Sequence, residues 1–440
     1  MLPAFWNGFP FIFFDSGDYL AVTLTGERVV YRDPVYGYVA AVLHAHRSLW
    51  GVALGQSLLS AWVLWEAVRL VLPERARAAA YLGVMAILAA GSSLPWFSGQ
   101  IMPDIWGALA VLMVMLLALA DLPPLRRALL AVLLALALAC HLSFLPLGAG
   151  LLVLLLGLRI LLIRKGVVVR LGWTAIAVAV APGLIVAANL SLGGPATLSQ
   201  TSHAFLLARL VQDGLAKRTL DRLCPDPELS LCELKDHLPP TANDFLWGDS
   251  DAFAKVGGWL DSRKEADRII AASFDLFPGE HIASAVKLSW TQLTWFATAD
   301  GLESQAEPWG LIEAHLPLDF PAYQAARQQT EPLPIRLINR VHVPIATLAM
   351  LSLPLLLWAA WRSSRWREAA GLVLIGGALL GNAVICGVLS NPNDRYESRV
   401  VWLAVFALGL AAAEAISRRF PSSIAKDRPA VQDPSEVSAR

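Results

Sequence analysis

Hydrophobic residues in this chain come in long uninterrupted runs, not in the alternation of a half-buried strand or the narrow stripe of a surface helix. Nine runs stand out as candidate membrane crossings: about 48–72, 78–96, 104–120, 126–141, 144–163, 168–192, 340–361, 367–390 and 399–416. Backbone in lipid must satisfy its own hydrogen bonds, and these Leu/Ala-rich runs lack the inside–outside alternation of barrel strands, so each is predicted to be a helix. The expected class is an all-α polytopic membrane protein with about nine to ten transmembrane helices and one mostly helical outward, periplasmic domain. It divides into an N-terminal transmembrane region with outward acidic loops (1–192), the outward segment (193–339), the C-terminal transmembrane helices (340–416) and a polar cytoplasmic tail (417–440) expected to be disordered.

The polar residues between the runs set the orientation. One alternating set of connections carries Arg75 and Arg77, Arg126 and Arg127, Arg164, Lys165 and Arg170, Arg362, Arg365 and Arg367, then Arg418, Arg419, Lys426 and Arg428. By the positive-inside rule these face the cytoplasm of a bacterial inner membrane. The opposite set has FSGQIMP at 97–103, the HLS corner at 141–143 and NPNDRYESR at 391–399, and faces outward. Alternation places 193–339 outside as well.

The start of the chain fits less easily. FFDSGDYL must lie outside if 48–72 runs inward, yet only the fourteen residues MLPAFWNGFPFIFF reach it from the N-terminus. As helix they span about 21 Å against a hydrocarbon core of about 30 Å. Pro3, Gly8 and Pro10 interrupt even that, and neither a basic n-region nor a small-residue cleavage site marks a signal peptide. These residues are read as the outer end of a first span, with an upstream start and a tenth helix expected before it.

Composition agrees with the runs: the 440 residues are 56% hydrophobic and 16% charged. The zero net charge is uninformative about partners, because inward basic and outward acidic residues cancel, and nothing suggests nucleic acid. Of four cysteines, Cys140 and Cys386 fall in runs, while Cys224 and Cys232 lie in the outward CPDPELSLC, where an oxidising compartment favours a disulfide over two free thiols. Within 193–339, helical patterning covers 251–274 and 280–298 and includes Trp259, Leu288, Trp290 and Trp295. Residues 34–47 put Tyr38, Val42 and His46 on one helical face. An interfacial helix and a plain outward loop both fit.

The candidate chemistry lies on the outward side. Asp15 and Asp18 follow the first apolar segment, Arg32 and Asp33 lie in YRDPVYGY, Asp104 opens a run in MPDIWG, His141 closes one, and DRYESR holds Asp394, Arg395, Glu397 and Arg399. Each has a plainer reading. Asp104 after Pro103 can be a helix-start charge, Asp18 and Asp33 can be turn residues, His141 a helix-end donor, and the arginines headgroup anchors. Their shared side is what favours a site. Isolated polar residues inside the runs include Asn189, Asn382 and Glu414.

The motifs FDSGDYL at 14–20 and RDPVY at 32–36, with MPD at 102–104 in the place of a second outward acidic loop, resemble the polytopic GT-C glycosyltransferases. That superfamily includes protein mannosyltransferases, lipid A aminoarabinose transferases and oligosaccharyltransferase catalytic subunits. DRYESRV near the last run is similar to uncharacterised bacterial members. The chain departs from the mannosyltransferases in having Ser16 where an acidic pair usually continues. The resemblance implies transfer of a sugar, with inversion, from a polyprenyl-phosphate donor to a glycan, lipid or protein acceptor. Such chemistry needs a carboxylate to take the acceptor's proton and a cation to stabilise the leaving phosphate. Asp15, at the membrane boundary, is the expected base. Arg395 and Arg399 are the expected phosphate partners, while Asp18, Arg32, His141 and Asp394 are expected to contact substrate. Asp104 is assigned to the acceptor or to a divalent cation, whose involvement stays open. Two other readings remain: an O-antigen ligase or polymerase-like transferase, in which His141 would matter more than Asp15, and a lipid or solute transporter, in which ionisable residues would lie at mid-span.

Overall fold

The computed structural model describes residues 1–419. Most of the tail expected to be disordered lies outside them, and its first residues, 417–419, continue the helix Asp394–Arg419. Among the described residues all named elements are helical, and the one backbone bridge joins Phe11 to Gln100.

Six helices are long and apolar enough to cross a membrane: Trp50–Val71, Phe144–Lys165, Gly172–Ser191, Ile335–Arg362, Trp366–Leu389 and Asp394–Arg419. The remaining predicted runs are also helical, as Glu74–Gly91, Asp104–Leu119 and Pro124–Ala139, but they are shorter or begin with charge. By length and composition, six of the nine predicted runs qualify as crossings on their own. Asp104–Leu119 shows why a run can be short. All 16 of its residues are buried, so at about 24 Å it is surrounded by protein and its length is not set by lipid.

The first residues do not continue as one straight helix. Gly8, with φ of 87°, closes the short helix Leu2–Asn7 in the left-handed conformation that glycine adopts without strain. The chain then runs extended. Phe11 donates to the Gly99 carbonyl at 2.9 Å and accepts from Ile101 N–H at 2.9 Å, while Phe9, Phe11 and Ile12 are fully buried.

Segment 193–339 has three parts. Residues 204–270 enclose their own apolar core, including Leu207, Leu220, Phe245 and Ile269, and the structure joins Cys224 to Cys232 with a Cα separation of 5.7 Å. The helical pattern at 251–274 is interrupted where Gly257 and Gly258 take φ of 103° and 61°, so three helices replace one. Next, Pro278–Thr294 packs along Trp366–Leu389. Last, residues 299–326 join the main core through Leu302, Ile312 and Tyr323, and Gln328 clasps the extended N-terminal stretch by accepting from Ile12 N–H at 3.1 Å. The uncertain stretch at 34–47 contains the helix Val35–His44, with Tyr38 and Val42 exposed.

The disulfide has a direct check. Alkylation in denaturant without reductant is expected to label Cys140 and Cys386 only, and all four cysteines after reduction. Labelling of all four before reduction would exclude the bond.

Candidate functional site

The site begins with a local cap. Phe13 N–H donates to Ser16 Oγ at 2.9 Å, and that hydroxyl donates to the Ile101 carbonyl at 2.8 Å, which starts the helix Phe14–Leu24 and fixes it to the 99–101 turn. Helical spacing then puts Asp15, Asp18 and Tyr19 on one face. Arg32, arriving from the following connection, pairs with Asp15 and binds Asp18 through Nε at 3.0 Å.

The helix Asp394–Arg419 supplies the other cations. Arg395 and Arg399, four residues apart, share a face. One guanidinium nitrogen of Arg395 lies 3.8 Å from both Asp15 and Asp104, and Arg399 donates to Asp104 at 3.3 Å. The Asp104 side chain accepts from Arg399 and is 2% exposed. Of its two sequence readings, the structure therefore gives it ion-pair partners, although its place in the first helical turn also suits a negative charge. Arg32, Asp15, Arg395, Asp104 and Arg399 form a continuous alternation of charge. Phe13 lies under Arg395 at 4.1 Å and Phe144 under Arg399 at 4.8 Å, each ring presenting its electron-rich face to a cation.

Arg399 is fully buried and heavily engaged. It also donates to Ser143 Oγ at 3.1 Å and Asn382 Oδ1 at 3.0 Å, and the Asn382 amide donates to Glu397 at 2.9 Å. His141 Nδ1 lies 2.8 Å from Ser143 Oγ, one hydroxyl away from Arg399. Within the cluster, four buried polar atoms make no hydrogen bond to the protein: Asp104 Oδ2, one terminal nitrogen of Arg395, Arg399 Nε and Glu397 Oε1. Leaving charged groups buried with donors and acceptors unused is costly. The cluster therefore has hydrogen-bonding capacity that the chain itself does not fill.

Of the residues singled out in the sequence, Asp15, Asp18, Arg32, Asp104, His141, Arg395 and Arg399 come together. Asp394 does not join their hydrogen-bonded network: its Oδ1 accepts from Ala297 N–H at 2.6 Å and anchors segment 193–339. Asn382, Ser143 and Glu397 complete the cluster, and none had been assigned a role. Two of them carried a sequence signal: Glu397 lies among the outward charges of DRYESR, and Asn382 is a polar residue inside an apolar run, where polarity is expensive.

Outside the cluster, a cavity of about 420 Å³ is lined by Gly17, Asp18, Tyr31, Glu307 and Leu311 among others, so Asp18 borders both. Burial pushes the Asp18 carboxyl up despite Arg32. Trp247 and Trp259 of the 204–270 core region pack on Tyr31, with centroids 5.0 and 4.8 Å away. Among the described residues no group of three or more His, Cys, Asp or Glu side chains is arranged to hold a metal ion. Asp15 and Asp104 face guanidiniums instead.

Asp33 gives a pH test. Burial pushes its carboxyl up to about 7, with the Leu142 backbone N–H and Arg32 pulling the other way. The folded state thus holds this proton more tightly than the unfolded chain. The resulting stability is fully present below the ordinary carboxylate range and is lost as pH rises through about 7. A pH series of melting curves should show that loss in the natural protein and a flatter profile for Asp33→Asn; identical profiles would refute it.

Comparison with protein families, with characterised proteins and with solved structures finds no match. The class is set by architecture and site alone: an all-helical protein with helices of membrane-crossing length and a buried carboxylate–guanidinium cluster at one end of the bundle.

Proposed function

We propose that the chain is an integral membrane glycosyltransferase that moves a sugar from a polyprenyl-phosphate donor to an acceptor at the outer face of a bacterial inner membrane. The observation that carries this reading is Arg395: a cation 8% exposed, set between Asp15 and Asp104, with one guanidinium nitrogen that makes no hydrogen bond. A phosphate oxygen matches that need. Arg399 already has four partners and acts by positioning Asp104 and the Ser143 turn.

In this mechanism the acceptor hydroxyl or amine attacks C1 of the sugar from the side opposite the phosphate. The acceptor–C1 bond forms as the C1–O bond to phosphate breaks, the departing oxygen takes the electron pair, and Asp15 takes the acceptor's proton. Arg395 stabilises the charge that grows on the phosphate, and one inversion at C1 results. The cavity beside Asp18, bordered by Arg28 and Glu307, is the acceptor's approach.

Topology supports the same reading. Arg126 pairs with Glu66 at 3.2 Å and Arg365 with Glu414 at 2.7 Å, so residues of the basic connections meet at the ends of the helices opposite to Asp104, Asn382 and Arg395. With segment 193–339 periplasmic and the C-terminus cytoplasmic, alkaline phosphatase fused in that segment should be active and fused at the tail inactive. The reverse pattern would put the cluster on the wrong side. For activity, the purified protein in lipid is to be given short-chain polyprenyl-phosphate sugars, with release of polyprenyl phosphate read by mass spectrometry. Donor-dependent release that needs an added acceptor supports the reading. If every donor stays intact while membranes of a gene deletion strain accumulate no lipid-linked sugar, the reading fails.

A further inference from the structure

The helix Pro278–Thr294 has two unlike sides. One packs along Trp366–Leu389 so closely that a Cβ on Gly387 would lie 2.7 Å from the Leu288 carbonyl. Its N-terminal half also meets the 204–270 core region, through Ser284 Oγ donating to Asp213 at 2.8 Å and Arg218 pairing with Glu280 at 2.8 Å. The other side carries Ile282, Val286 and Trp290, spaced by four residues and therefore in one line. Each is 67% exposed.

That line is not an isolated apolar spot. Phe274 and Leu276 before it and Trp295 after it are about half exposed, and the neighbouring helix Trp366–Leu389 continues the surface with exposed Leu380 and Val384. So many large apolar side chains exposed on two helices packed together signal a partner. Trp366–Leu389 is itself long and apolar enough to cross a membrane, so the partner that covers Leu380 and Val384 also reaches Ile282, Val286 and Trp290. Lys287 is exposed beside the line, with an aliphatic stem long enough to carry its charge to a headgroup.

We propose that Pro278–Thr294 is a membrane-contact helix whose Ile282–Val286–Trp290 line lies against the acyl chains of the bilayer. It is thereby distinct from the 204–270 region, which buries its apolar residues in a core of its own. This contact reaches the site. Gln292 and Asn393 exchange two hydrogen bonds, of 2.8 and 2.9 Å, and Asn393 Oδ1 accepts from Arg395 N–H at 3.0 Å. A lipid-seated helix is thus fastened to the turn that presents Arg395.

The test uses nitroxide labels on Ile282→Cys, Val286→Cys and Trp290→Cys, one at a time, in full-length protein reconstituted in phosphatidylethanolamine–phosphatidylglycerol vesicles. The natural cysteines are buried or bonded. Lys264→Cys, on a side chain 87% exposed in the 204–270 region, is the water control, and Leu348→Cys, 63% exposed on Ile335–Arg362, is the lipid control. Collision with oxygen over a water-soluble nickel chelate should be favoured by about threefold or more at 282, 286 and 290 relative to 264, matching 348. If 348 prefers oxygen and the three helix labels resemble 264, the proposal is overturned while the membrane reading stands. If 348 also resembles 264, both fail.

Discussion

Asp15→Asn protein is expected to insert and accumulate at the natural level while sugar transfer falls by about 100-fold or more. The substitution preserves size and leaves an oxygen to accept from Arg32, so the cluster keeps its outer hydrogen bond while the proton acceptor is lost. Asp18→Asn should cost less, because Asp18 pairs with Arg32 away from Arg395 and stands at the cavity mouth. Asp104→Asn should be intermediate, removing the countercharge shared by Arg395 and Arg399 without removing the base. A ligase built around His141 would reverse this order, with His141→Ala the most severe, and a transporter has no reason to produce it. The measurement is polyprenyl phosphate released per mole of protein in the membrane. Near-normal release by Asp15→Asn would leave FFDSGDYL as a capped helix start whose Asp15 only pairs with Arg32.

Much of this arrangement could be read in the sequence because membrane helices leave few choices. Leu/Ala runs without alternation had to be helices, and the alternating basic connections do gather away from Asp104 and Arg395. Arg395 and Arg399, four apart, had to share a face. Other features were hidden for physical reasons. Whether Asp394 or Arg395 faces the cluster depends on the rotation of one helix about its axis, which sequence spacing leaves free; the structure turns Asp394 to Ala297 N–H. Ser143 and Glu397 are ordinary residues until Asn382 and Arg399 are placed between them. The extended course of residues 8–13 depends on a distant clasp by Gln328 and on pairing with Gly99 and Ile101, neither of which a local pattern can show. Gly257 and Gly258 were visible as residues, but an apolar pattern on both sides concealed that both take positive φ.

The separation of Arg395 from Arg399 leads to the largest expected change in stability. Arg399 is fully buried, and its removal leaves Asp104 without its nearest cation and Glu397 facing Asn382 alone. Breaking a buried pair by deleting one partner costs about 3 to 5 kcal/mol, most of it from the charge left behind. Arg399→Met should therefore melt well below the natural protein in detergent. A thiol-reactive dye can follow this, since Cys140 and Cys386 are both buried and become accessible on unfolding. Adding Asp104→Asn should recover part of the loss, because the stranded charge is then gone, and such recovery identifies an ion pair where simple loss of packing would give none. Arg395→Met should behave differently. Its guanidinium is 3.8 Å from each of two carboxylates and engages neither in a hydrogen bond. Its loss should lower the melting temperature less and sugar transfer more, by about 100-fold or more for a cation that stabilises the leaving group. Equal melting of the two variants would mean that the cluster does not divide into a positioning arginine and a substrate-facing one, and the assignment of Arg395 to the phosphate would lose its basis.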